Sequence, residues 1–375
     1  MKKVWDWCKR EVVLCIAIVL AVVSAFFVHP DKGYIEYIDF RTLAILFCLM
    51  AVMAGLQKIG TFRFVAEKLL ERVKNIKGLI FILVMLCFVF SMLITNDVAL
   101  ITFVPFTFIV LKMILDDKAE VLIVPVVVMQ TIAANLGSML TPIGNPQNLY
   151  LYGKSGISFV DFIILMLPYT AVAFVLLGIW CVILPYKGSK TCQLNLQEKT
   201  SLSSAKGPLL VYAGLFVFCI LTVAHIIPYF ITLLLVIIVL CIMDKEVLGK
   251  VDYSLLFTFV GFFVFVGNVG RIPEFHHFIQ QIINGNEVVT SVVASQFMSN
   301  VPAALLLSRF TDKYSLLIVG TNLGGLGTLI ASMASLISFK YIGKEYKHLR
   351  GKYLLCFTLS NLLFLAVFLM YVTLQ

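Results

Sequence analysis

Apolar stretches of about 20 residues, separated by short charged breaks, recur along the whole chain. A stretch of that length crosses the hydrocarbon core of a bilayer as an α-helix. The pattern therefore predicts an all-α polytopic membrane protein. The stretches interpreted as full crossings are 11–29, 40–57, 121–152, 158–184, 208–227, 229–243, 253–270, 315–339 and 353–373.

Two further apolar stretches, 78–111 and 288–311, carry polar residues in their middles. We interpret them as re-entrant hairpins that enter and leave the membrane on the same side. The basic residues favour this arrangement, because cytoplasmic connections of membrane proteins are enriched in Lys and Arg. With a cytoplasmic N-terminus and an external C-terminus, the predicted cytoplasmic breaks contain 23 of the 29 Lys and Arg residues. The first hairpin then opens to the cytoplasm and the second to the exterior.

The chain is predicted to consist of two halves joined by a polar segment. Residues 1–185 form the N-terminal half, with an extra span and the first hairpin, and residues 208–375 form the C-terminal half, with the second hairpin. The segment 186–207 is rich in Ser, Thr, Gln and Lys and is predicted to be a cytoplasmic linker. The first apolar run resembles a signal peptide, but its length and the charge distribution favour a retained span. The stretch 58–77 predicts an amphipathic helix along the cytoplasmic interface or, alternatively, an ordinary solvated helix.

The composition agrees with a protein whose surface largely faces lipid. Hydrophobic residues make up 61% of the chain, charged residues 13%, and the mean hydropathy is +1.01. A soluble domain is about half apolar and about a quarter charged. The net charge of +9 lies in the breaks between apolar stretches, so it indicates topology and not nucleic-acid binding. The nine cysteines are scattered without a C-x-x-C pair, and no cofactor is expected.

Three short segments of the first half recur in the same order in the second. The separations between the paired segments fall from 213 to 204 to 187 residues, so the connections in the second copy are shorter. The charge-based topology places the two copies in opposite senses across the bilayer, which predicts inverted-topology repeats. The pairs are Asp39–Leu43 with Asp252–Leu256, Thr95-Asn96 with Ser299-Asn300, and Asn135–Ile143 with Asn322–Ile330.

The long crossings 121–152 and 315–339 are predicted to be broken near mid-membrane. Pro142, Gly144 and Pro146 interrupt the first within the polar segment Thr141–Asn148, because proline removes a backbone donor and clashes with the preceding turn. The corresponding segment of the second copy, Thr328–Ser335, has no proline but contains two serines. Non-helical backbone at this depth must be buried or line a cavity. Each break is expected to face the tip of a hairpin.

Hairpin tips and broken helices together define the candidate binding site. Helix N-termini favour anions, whereas freed carbonyl, Asn, Ser and Thr oxygens suit Na⁺. Na⁺ is expected near Thr95, Asn96 and Asn145 in one copy and near Ser299, Asn300 and Thr328 in the other. The full predicted set is Thr95, Asn96, Asp97, Thr141, Gly144, Asn145, Asn148, Ser299, Asn300, Thr328, Ser332 and Ser335.

Asp97 is the sharpest single candidate, because an ionisable side chain inside an apolar stretch is costly and by default functional. It could bind a cation, carry a coupling proton, or only cap the second arm of its hairpin. Its counterpart in the second copy is Val301, which cannot do any of these. Asn135 and Asn322 could equally well be packing residues or site residues.

The tips Thr95-Asn96-Asp97 and Ser299-Asn300-Val301, with the Asn135 and Asn322 segments, resemble the ion transporter superfamily. This superfamily includes citrate and dicarboxylate permeases, sulfate transporters, arsenite permeases and sodium/proton antiporters. The resemblance covers about 39–373. It implies a homodimer whose mobile transport part moves like an elevator against a scaffold, with substrate and Na⁺ sites at the tips and breaks. Sodium–dicarboxylate members carry Ser-Asn-Thr at both tips, whereas the Asn-Asp pair here is closer to the arsenite-permease pattern.

These observations predict a secondary active transporter in a bacterial plasma membrane that moves a small anion, such as a carboxylate, coupled to Na⁺ or H⁺. An alternative is an efflux permease or antiporter for an arsenite-like oxyanion or for Na⁺/H⁺ exchange. An intramembrane enzyme is disfavoured, because the chain has no G-x-G-D and no H-E-x-x-H motif. The chain also has no ATP-binding P-loop, so transport is expected to depend on an ion gradient or on a separate ATPase.

Overall fold

The computed structural model of the protein describes residues 11–184 and 206–374. The predicted linker 186–207 lies outside the described residues except for Lys206 and Gly207, which begin a helix. Within the described ranges the chain is helical and contains no strand. The α-helices are α1 (Val12–Phe27), α2 (Gly33–Tyr37), α3 (Phe40–Lys58), α4 (Thr61–Leu70), α5 (Ile76–Ser91), α6 (Asn96–Leu115), α7 (Ala119–Ser138), α8 (Pro146–Ser155), α9 (Phe159–Ile183), α10 (Lys206–Val223), α11 (Tyr229–Met243), α12 (Lys245–Leu248), α13 (Tyr253–Val269), α14 (Pro273–Ile283), α15 (Glu287–Met298), α16 (Asn300–Leu307), α17 (Tyr314–Leu323), α18 (Met333–Glu345) and α19 (Arg350–Thr373).

The prediction of an all-α polytopic membrane protein is confirmed. Among the described residues, six helices are long and apolar enough to cross a bilayer: α3, α6, α7, α9, α10 and the segment Lys347–Thr373, which contains α19. A bent pair, α13 and α14, meets at 102° and brings the number to seven if it is counted as one span. Large apolar side chains on α9, α11 and α19 remain exposed, as expected for surfaces that face lipid.

Helices α3 and α13, which begin the two copies, run antiparallel. Asp31, in the segment that leads through α2 into α3, forms an ion pair of 2.7 Å with Arg271, just after α13. At the opposite end, Lys58 is the last residue of α3 and forms an ion pair of 2.8 Å with Asp244, in the segment that leads through α12 into α13. We call the end with Asp31 the outer end and the end with Lys58 the inner end. The two copies are therefore inverted with respect to each other, as predicted.

The two copies also begin with the same local chemistry. Asp39 caps α3 by accepting a hydrogen bond of 3.0 Å from the Thr42 backbone N–H, and Asp252 caps α13 by accepting one of 3.0 Å from the Leu255 N–H. The backbone angles of the two caps are nearly equal, with φ −82° and ψ 85° at Asp39 and φ −78° and ψ 84° at Asp252. A carboxylate at this position satisfies a first-turn donor that has no partner within the helix.

Both predicted hairpins consist of two packed helices, α5 with α6 and α15 with α16. The first hairpin turns at residues 92–95. The second turns at a single residue, Ser299, whose φ of 74° lies in the left-handed region that side chains rarely adopt. By length and composition alone, the 20-residue α6 could also cross a membrane.

Both predicted breaks exist, but their bounds differ from the prediction. The first covers residues 139–145, because α7 ends at Ser138 and α8 begins at Pro146. Pro146 therefore starts a helix instead of interrupting one, since the first helical position needs no N–H donor and favours the φ of proline. The second break covers residues 324–332, between α17 and α18.

The helix that follows each break packs on the other copy. Helix α8 contacts α16 and α17, and its counterpart α18 contacts α6 and α7. Helix α1 similarly packs along α13, while α11 packs along α3. Because of this exchange, the two copies interlock along their length.

Two amphipathic helices follow the antiparallel pair. A helix was predicted within 58–77, and α4 occupies Thr61–Leu70 with Phe62, Ala66 and Leu70 buried. Its counterpart at the outer end is α14. The interfacial position predicted for the stretch 58–77 stays a prediction.

Two glycines allow the closest helix approaches next to the breaks. A Cβ atom at Gly137 on α7 would lie 2.0 Å from the Phe88 carbonyl oxygen and 2.5 Å from the Ser91 Oγ atom. At the repeat-related Gly324, a Cβ would lie 2.5 Å from the Ser295 Oγ atom, and Ser295 is the counterpart of Ser91. At both positions the absence of a side chain therefore permits the close approach of the neighbouring hairpin helix.

Candidate functional site

Each hairpin tip is attached to the break of its own copy through the backbone. The Asn96 N–H donates to the Gly144 carbonyl oxygen at 3.0 Å, and the Asn300 N–H donates to the Ala331 carbonyl oxygen at 2.9 Å. The two bonds are related by the repeat, because Asn300 corresponds to Asn96 and Ala331 to Gly144. Both tips are therefore positioned in the same way.

Asn135, on the last turns of α7, connects the first copy to the second. Its Oδ1 atom accepts hydrogen bonds from Asn96 Nδ2 at 3.1 Å and from the Ser332 hydroxyl at 2.9 Å. Its Nδ2 atom donates to the Ser335 hydroxyl at 3.4 Å. One buried amide thus holds the first tip and the start of α18 together.

Asn322, the counterpart of Asn135, makes the reciprocal connection. Its Oδ1 atom accepts a hydrogen bond of 2.9 Å from Asn145 Nδ2, and its Nδ2 atom donates to Asn148 Oδ1. Asn145 and Asn148 occupy the positions that Ser332 and Ser335 occupy in the second copy. Asn145 Oδ1 also caps α8, accepting from the Asn148 N–H at 2.9 Å.

This amide network changes the interpretation of several predicted residues. Asn145 and Asn148 are 2% and 0% exposed, and their polar atoms are engaged with the protein. They hold the breaks in shape and leave little capacity for a ligand. Asn135 and Asn322, which the sequence left open between packing and site roles, lie at the centre of this network.

The first turns of four helices meet in one crevice between the tips and the breaks. Helices α6, α8, α16 and α18 all begin there, and among the described residues Leu255, in the first turn of α13, completes the lining. The crevice has a volume of about 10 Å³, room for roughly one water molecule. It is lined by Asn96, Asp97, Pro146, Gln147, Leu255, Asn300, Val301, Ser332, Met333 and Ala334.

The electrostatics of this crevice come from backbone rather than from basic side chains. Each helix start carries a partial positive charge of roughly half an elementary charge, because its first N–H groups have no intrahelical partner. Among the residues that the structure describes, no Lys, Arg or His lines the crevice. Four such helix starts around one small space favour a negatively charged ligand.

Asp97 contributes a carboxylate to this crevice. Its Oδ1 atom is fully buried without a hydrogen-bond partner, and neither oxygen accepts a hydrogen bond within the part of the chain that the structure describes. The N-cap position of α6 is Thr95. The alternative that Asp97 serves only as a satisfied helix cap therefore receives no support from the hydrogen bonds around it.

Two larger cavities lie on either side of the crevice. The inner cavity, of about 140 Å³, shares Asp97, Pro146 and Leu255 with the crevice. The outer cavity, of about 700 Å³, shares no residue with it. Three repeat-related pairs line the two cavities, one member in each: Asp252 and Asp39, Met50 and Phe263, Ile101 and Leu305. The cavities are therefore inverted copies of each other, and only the inner one adjoins the crevice.

Tyr150 on α8 lines the outer cavity. Its hydroxyl lies 2.9 Å from the Ser308 hydroxyl, and its ring contacts the Phe263 ring of α13 at 5.7 Å between centroids. Arg41 borders the same cavity and donates hydrogen bonds to the Thr222 and Val223 carbonyls and to the His225 ring. Burial, with a further contribution from Arg41, lowers the pKa of the His225 imidazole below its usual value. The neutral ring can thus accept the bond from Arg41.

Comparison with known proteins gives a match over most of the chain. Residues 3–314 match the family model described as citrate transporter. The chain belongs to the citrate transporter family. It is therefore an integral membrane transporter, and the superfamily resemblance read from the tips and breaks is confirmed.

Individual relatives of this citrate transporter family protein agree with the assignment. The inner membrane protein YbiR of Escherichia coli is 30% identical over 331 residues, which cover 86% of each chain. An uncharacterized transporter of Methanocaldococcus jannaschii is 32% identical over 318 residues, which cover 84% of each chain. The silicon efflux transporter LSI3 of Oryza sativa subsp. japonica is 33% identical over 151 residues, or 40% of this chain and 29% of that protein. The family and the names of the second and third of these relatives indicate transport.

The structure brings only part of the predicted residue set to the crevice of this citrate transporter family member. Asn96, Asp97, Asn300 and Ser332 line it, and Thr95 lines the adjoining inner cavity. The remaining residues lie elsewhere: Gly144, Asn145, Asn148, Ser299 and Ser335 lie behind it in the buried network or at the tips, and Thr141 donates to the Met92 carbonyl.

Thr328 does not reach the crevice. It is exposed and is held by Gln296, whose Oε1 atom accepts a hydrogen bond of 2.9 Å from the Thr328 N–H. The prediction had placed it by its repeat-related partner Thr141, but the second break follows a longer path. Sequence reasoning also missed Gln147, Leu255, Met333 and Ala334. Gln147, Met333 and Ala334 could have been found, because they lie in the first turns of the helices that follow the breaks.

Proposed function

We propose that this protein is a secondary active transporter that carries a small anion, a carboxylate in the first instance, coupled to Na⁺ or H⁺. The observation that carries the proposal is the convergence of four helix starts on one crevice with no basic side chain. Such a site attracts an anion without a fixed positive charge that would retain it. The anion is therefore released into either cavity more easily than from a site with a Lys or Arg side chain.

Asp97 supports coupling to a cation. A buried carboxylate without a hydrogen-bond partner is costly unless it is neutralised by a proton or a bound cation. With Asp97 neutralised, the crevice favours an anion, and with Asp97 charged, it repels one. Binding of cation and anion is therefore expected to be mutually dependent. The Na⁺ sites expected near Thr95, Asn96 and Asn145, and near Ser299 and Asn300, stay predictions, whereas Thr328, the third residue expected at the second site, lies outside the crevice.

The packing supports two bodies that exchange the crevice between the cavities. The transport part would comprise the hairpins and broken helices, α5–α8 and α15–α18, and the scaffold would comprise α1, α3, α11 and α13. Both cavities are lined by helices of the two groups, and the crevice is formed by the transport part with Leu255 of the scaffold beside it. An elevator-like movement of the transport part would connect the crevice to each cavity in turn. A homodimer in a bacterial plasma membrane, with a cytoplasmic N-terminus, completes the proposal.

The test is uptake by purified protein in proteoliposomes. Labelled citrate, dicarboxylates, sulfate and arsenite would be offered in turn, with an inward Na⁺ gradient, an inward H⁺ gradient or neither. We expect gradient-dependent uptake of at least one organic anion. Accumulation of no anion under any gradient would refute the proposal.

Two variants connect this uptake to the crevice. Asn96→Leu and Asn300→Leu each remove a polar group from a tip and should reduce uptake to background while the protein still inserts and purifies as a folded species. Thr328→Val, at a predicted residue that the structure places outside the crevice, is the matched control and should transport normally. Full activity of both Asn variants would exclude the tips from the site.

Asp97→Asn tests the coupling separately. We expect loss of uptake against a concentration gradient, whereas downhill exchange of the anion should persist, because the amide is a permanently neutral replacement. Unchanged accumulation in this variant would show that Asp97 has no role in coupling.

A second candidate is efflux of an arsenite-like oxyanion or a related oxyacid. It is favoured by the similarity of 151 residues to a silicon efflux transporter and by the Asn96-Asp97 tip. The same proteoliposomes decide between the two, if they are loaded with arsenite or silicic acid and efflux is followed under an opposing H⁺ gradient.

A further inference from the structure

The two aspartates that cap α3 and α13 differ in how many of their carboxylate oxygens accept hydrogen bonds. At Asp39, Oδ1 accepts from the Thr42 N–H and Oδ2 accepts from the Thr42 hydroxyl at 3.0 Å, so both oxygens are engaged. At Asp252, Oδ1 accepts from the Leu255 N–H, but Leu255 has no hydroxyl to donate to Oδ2. Among the described residues, Oδ2 of Asp252 has no hydrogen-bond partner. The cap of α13 therefore engages only one of the two carboxylate oxygens of Asp252.

The free oxygen belongs to a residue that lines the inner cavity with Asp97. This cavity of about 140 Å³ lies between the first tip, α3 and the start of α13. Both carboxylates border it. Lys250 is the third charged residue of the lining; it is exposed and forms no ion pair with either carboxylate. Two acids thus line one small space: Asp97, whose Oδ1 atom is fully buried and unpartnered, and Asp252, an exposed residue whose Oδ2 atom accepts no hydrogen bond from the described residues.

We propose that Asp97 and Asp252 form a two-carboxylate cation site across the boundary between the transport part and the scaffold. The ligand is the monovalent cation that drives transport, a proton or Na⁺, held there at the inner end of its path. This assignment rests on the proposed function and adds to it a residue, Asp252, that belongs to the scaffold. The fully buried, unpartnered Oδ1 of Asp97 is the observation that points to a ligand.

The site exists at one end of the molecule only. The counterpart of Asp252 at the outer cavity is Asp39, whose oxygens are both occupied, and the counterpart of Asp97 is Val301. Two like charges near a confined space raise the affinity for a cation, whereas a single engaged carboxylate does not. The pair also depends on the position of the first tip against α13. Movement of the tip away from α13 would separate the carboxylates and weaken their shared hold on the cation.

The repeat provides an isolating variant and a matched control. Asp252→Asn keeps the Oδ1 acceptor that caps α13 and removes the charge, and Asp39→Asn does the same at α3. Uptake would be measured as a function of proton and of Na⁺ concentration. We expect Asp252→Asn to raise the half-saturating concentration of the driving cation by about five- to tenfold, the effect of removing one nearby charge from a partly buried site. Asp39→Asn should leave it unchanged.

A double variant tests whether the two acids act as a pair. If they share one cation, Asp252→Asn should cause no further loss of cation dependence in an Asp97→Asn background. Additive effects in the double variant, or an equal shift in Asp39→Asn, would overturn the proposal. A purely structural role of Asp252 would lower the maximal rate and the yield without moving the half-saturating cation concentration.

A second readout does not require transport. The thermal stability of the purified protein would be titrated with NaCl against choline chloride at constant ionic strength, and separately with pH. Cation binding to the folded protein raises its stability, and Asp252→Asn should shift the midpoint of that dependence by the same factor. An identical cation dependence in the unmodified protein and in Asp252→Asn overturns the two-carboxylate site. Failure of anion uptake in the unmodified protein, by contrast, would refute only the proposed function.

Discussion

The contact between α5 and α7 at Gly137 can be tested with a single methyl group. In Gly137→Ala, the new Cβ would lie 2.0 Å from the Phe88 carbonyl oxygen, a backbone atom that cannot rotate away. Restoring even a tight contact of 3.0 Å requires the two helices to separate by about 1 Å. Asn135, two residues earlier on α7, holds Asn96 of the first tip at 3.1 Å. A shift of this size would stretch that bond beyond hydrogen-bonding distance.

The expected cost is about 1–3 kcal/mol of stability, the usual range for forcing a group into a packed interior. We expect a lower midpoint of thermal unfolding in detergent and a marked loss of uptake in proteoliposomes. Gly324→Ala should be milder, because its Cβ meets the side chain of Ser295 and not a backbone carbonyl of the neighbouring helix.

Gly178→Ala on α9 is the matched control. A Cβ there meets no atom within 4 Å, so alanine should stabilise the helix by up to about 1 kcal/mol or leave it unchanged. The reasoning would be refuted if Gly137→Ala unfolded at the same temperature as the unmodified protein and transported at the same rate.

Three further outcomes follow from side-chain contacts. Lys313→Met should destabilise the protein by roughly 2–3 kcal/mol, because Glu287, only 2% exposed, would lose its ion-pair partner; Glu287→Gln in the same chain should restore part of the loss in a thermal-unfolding assay. Asn322→Ala should lower thermal stability and uptake together, because it removes the hydrogen-bond partner of the buried Asn145 and Asn148 amides. Normal uptake would show that these bonds are not needed to hold the first break in shape. The depressed pKa of His225 means that the unfolded chain binds a proton more readily, so stability is complete above the ordinary imidazole pKa and falls as the pH drops below it; His225→Gln should show a smaller acid-side loss of the unfolding midpoint.

The repeat was predictable from sequence because its anchors have specific local chemistry. Asp39 and Asp252 are carboxylates that cap a helix start, and Asn96 and Asn300 follow a tight turn. Residues with such backbone roles recur at related positions even where the connections differ in length. The basic residues in the breaks then gave the relative orientation, which the ion pairs of α3 and α13 confirm.

The crevice was predictable only in part, because its lining depends on which atoms remain free. Asn145 and Asn148 have the polar groups expected of ligands, but those groups are consumed by Ser138, by α8 and by Asn322. Leu255 is an ordinary apolar residue in the sequence, and only the packing of α13 against the tips brings it to the crevice. Thr328 was placed by analogy with Thr141, and the second break takes a different path.

The reciprocal amide bonds have a consequence for how the chain is made. Asn135 accepts a hydrogen bond from Ser332, and Asn145 donates one to Asn322, and both partners are synthesised much later than the first break. The hydrogen bonds around this break therefore cannot be completed until the last third of the protein has been made. During that interval the nascent first half holds unpaired amides at membrane depth, where no water replaces the missing partners. Ribosome-bound chains that stop before residue 322 should therefore be favoured substrates of membrane quality control, whereas chains released after α18 should escape it.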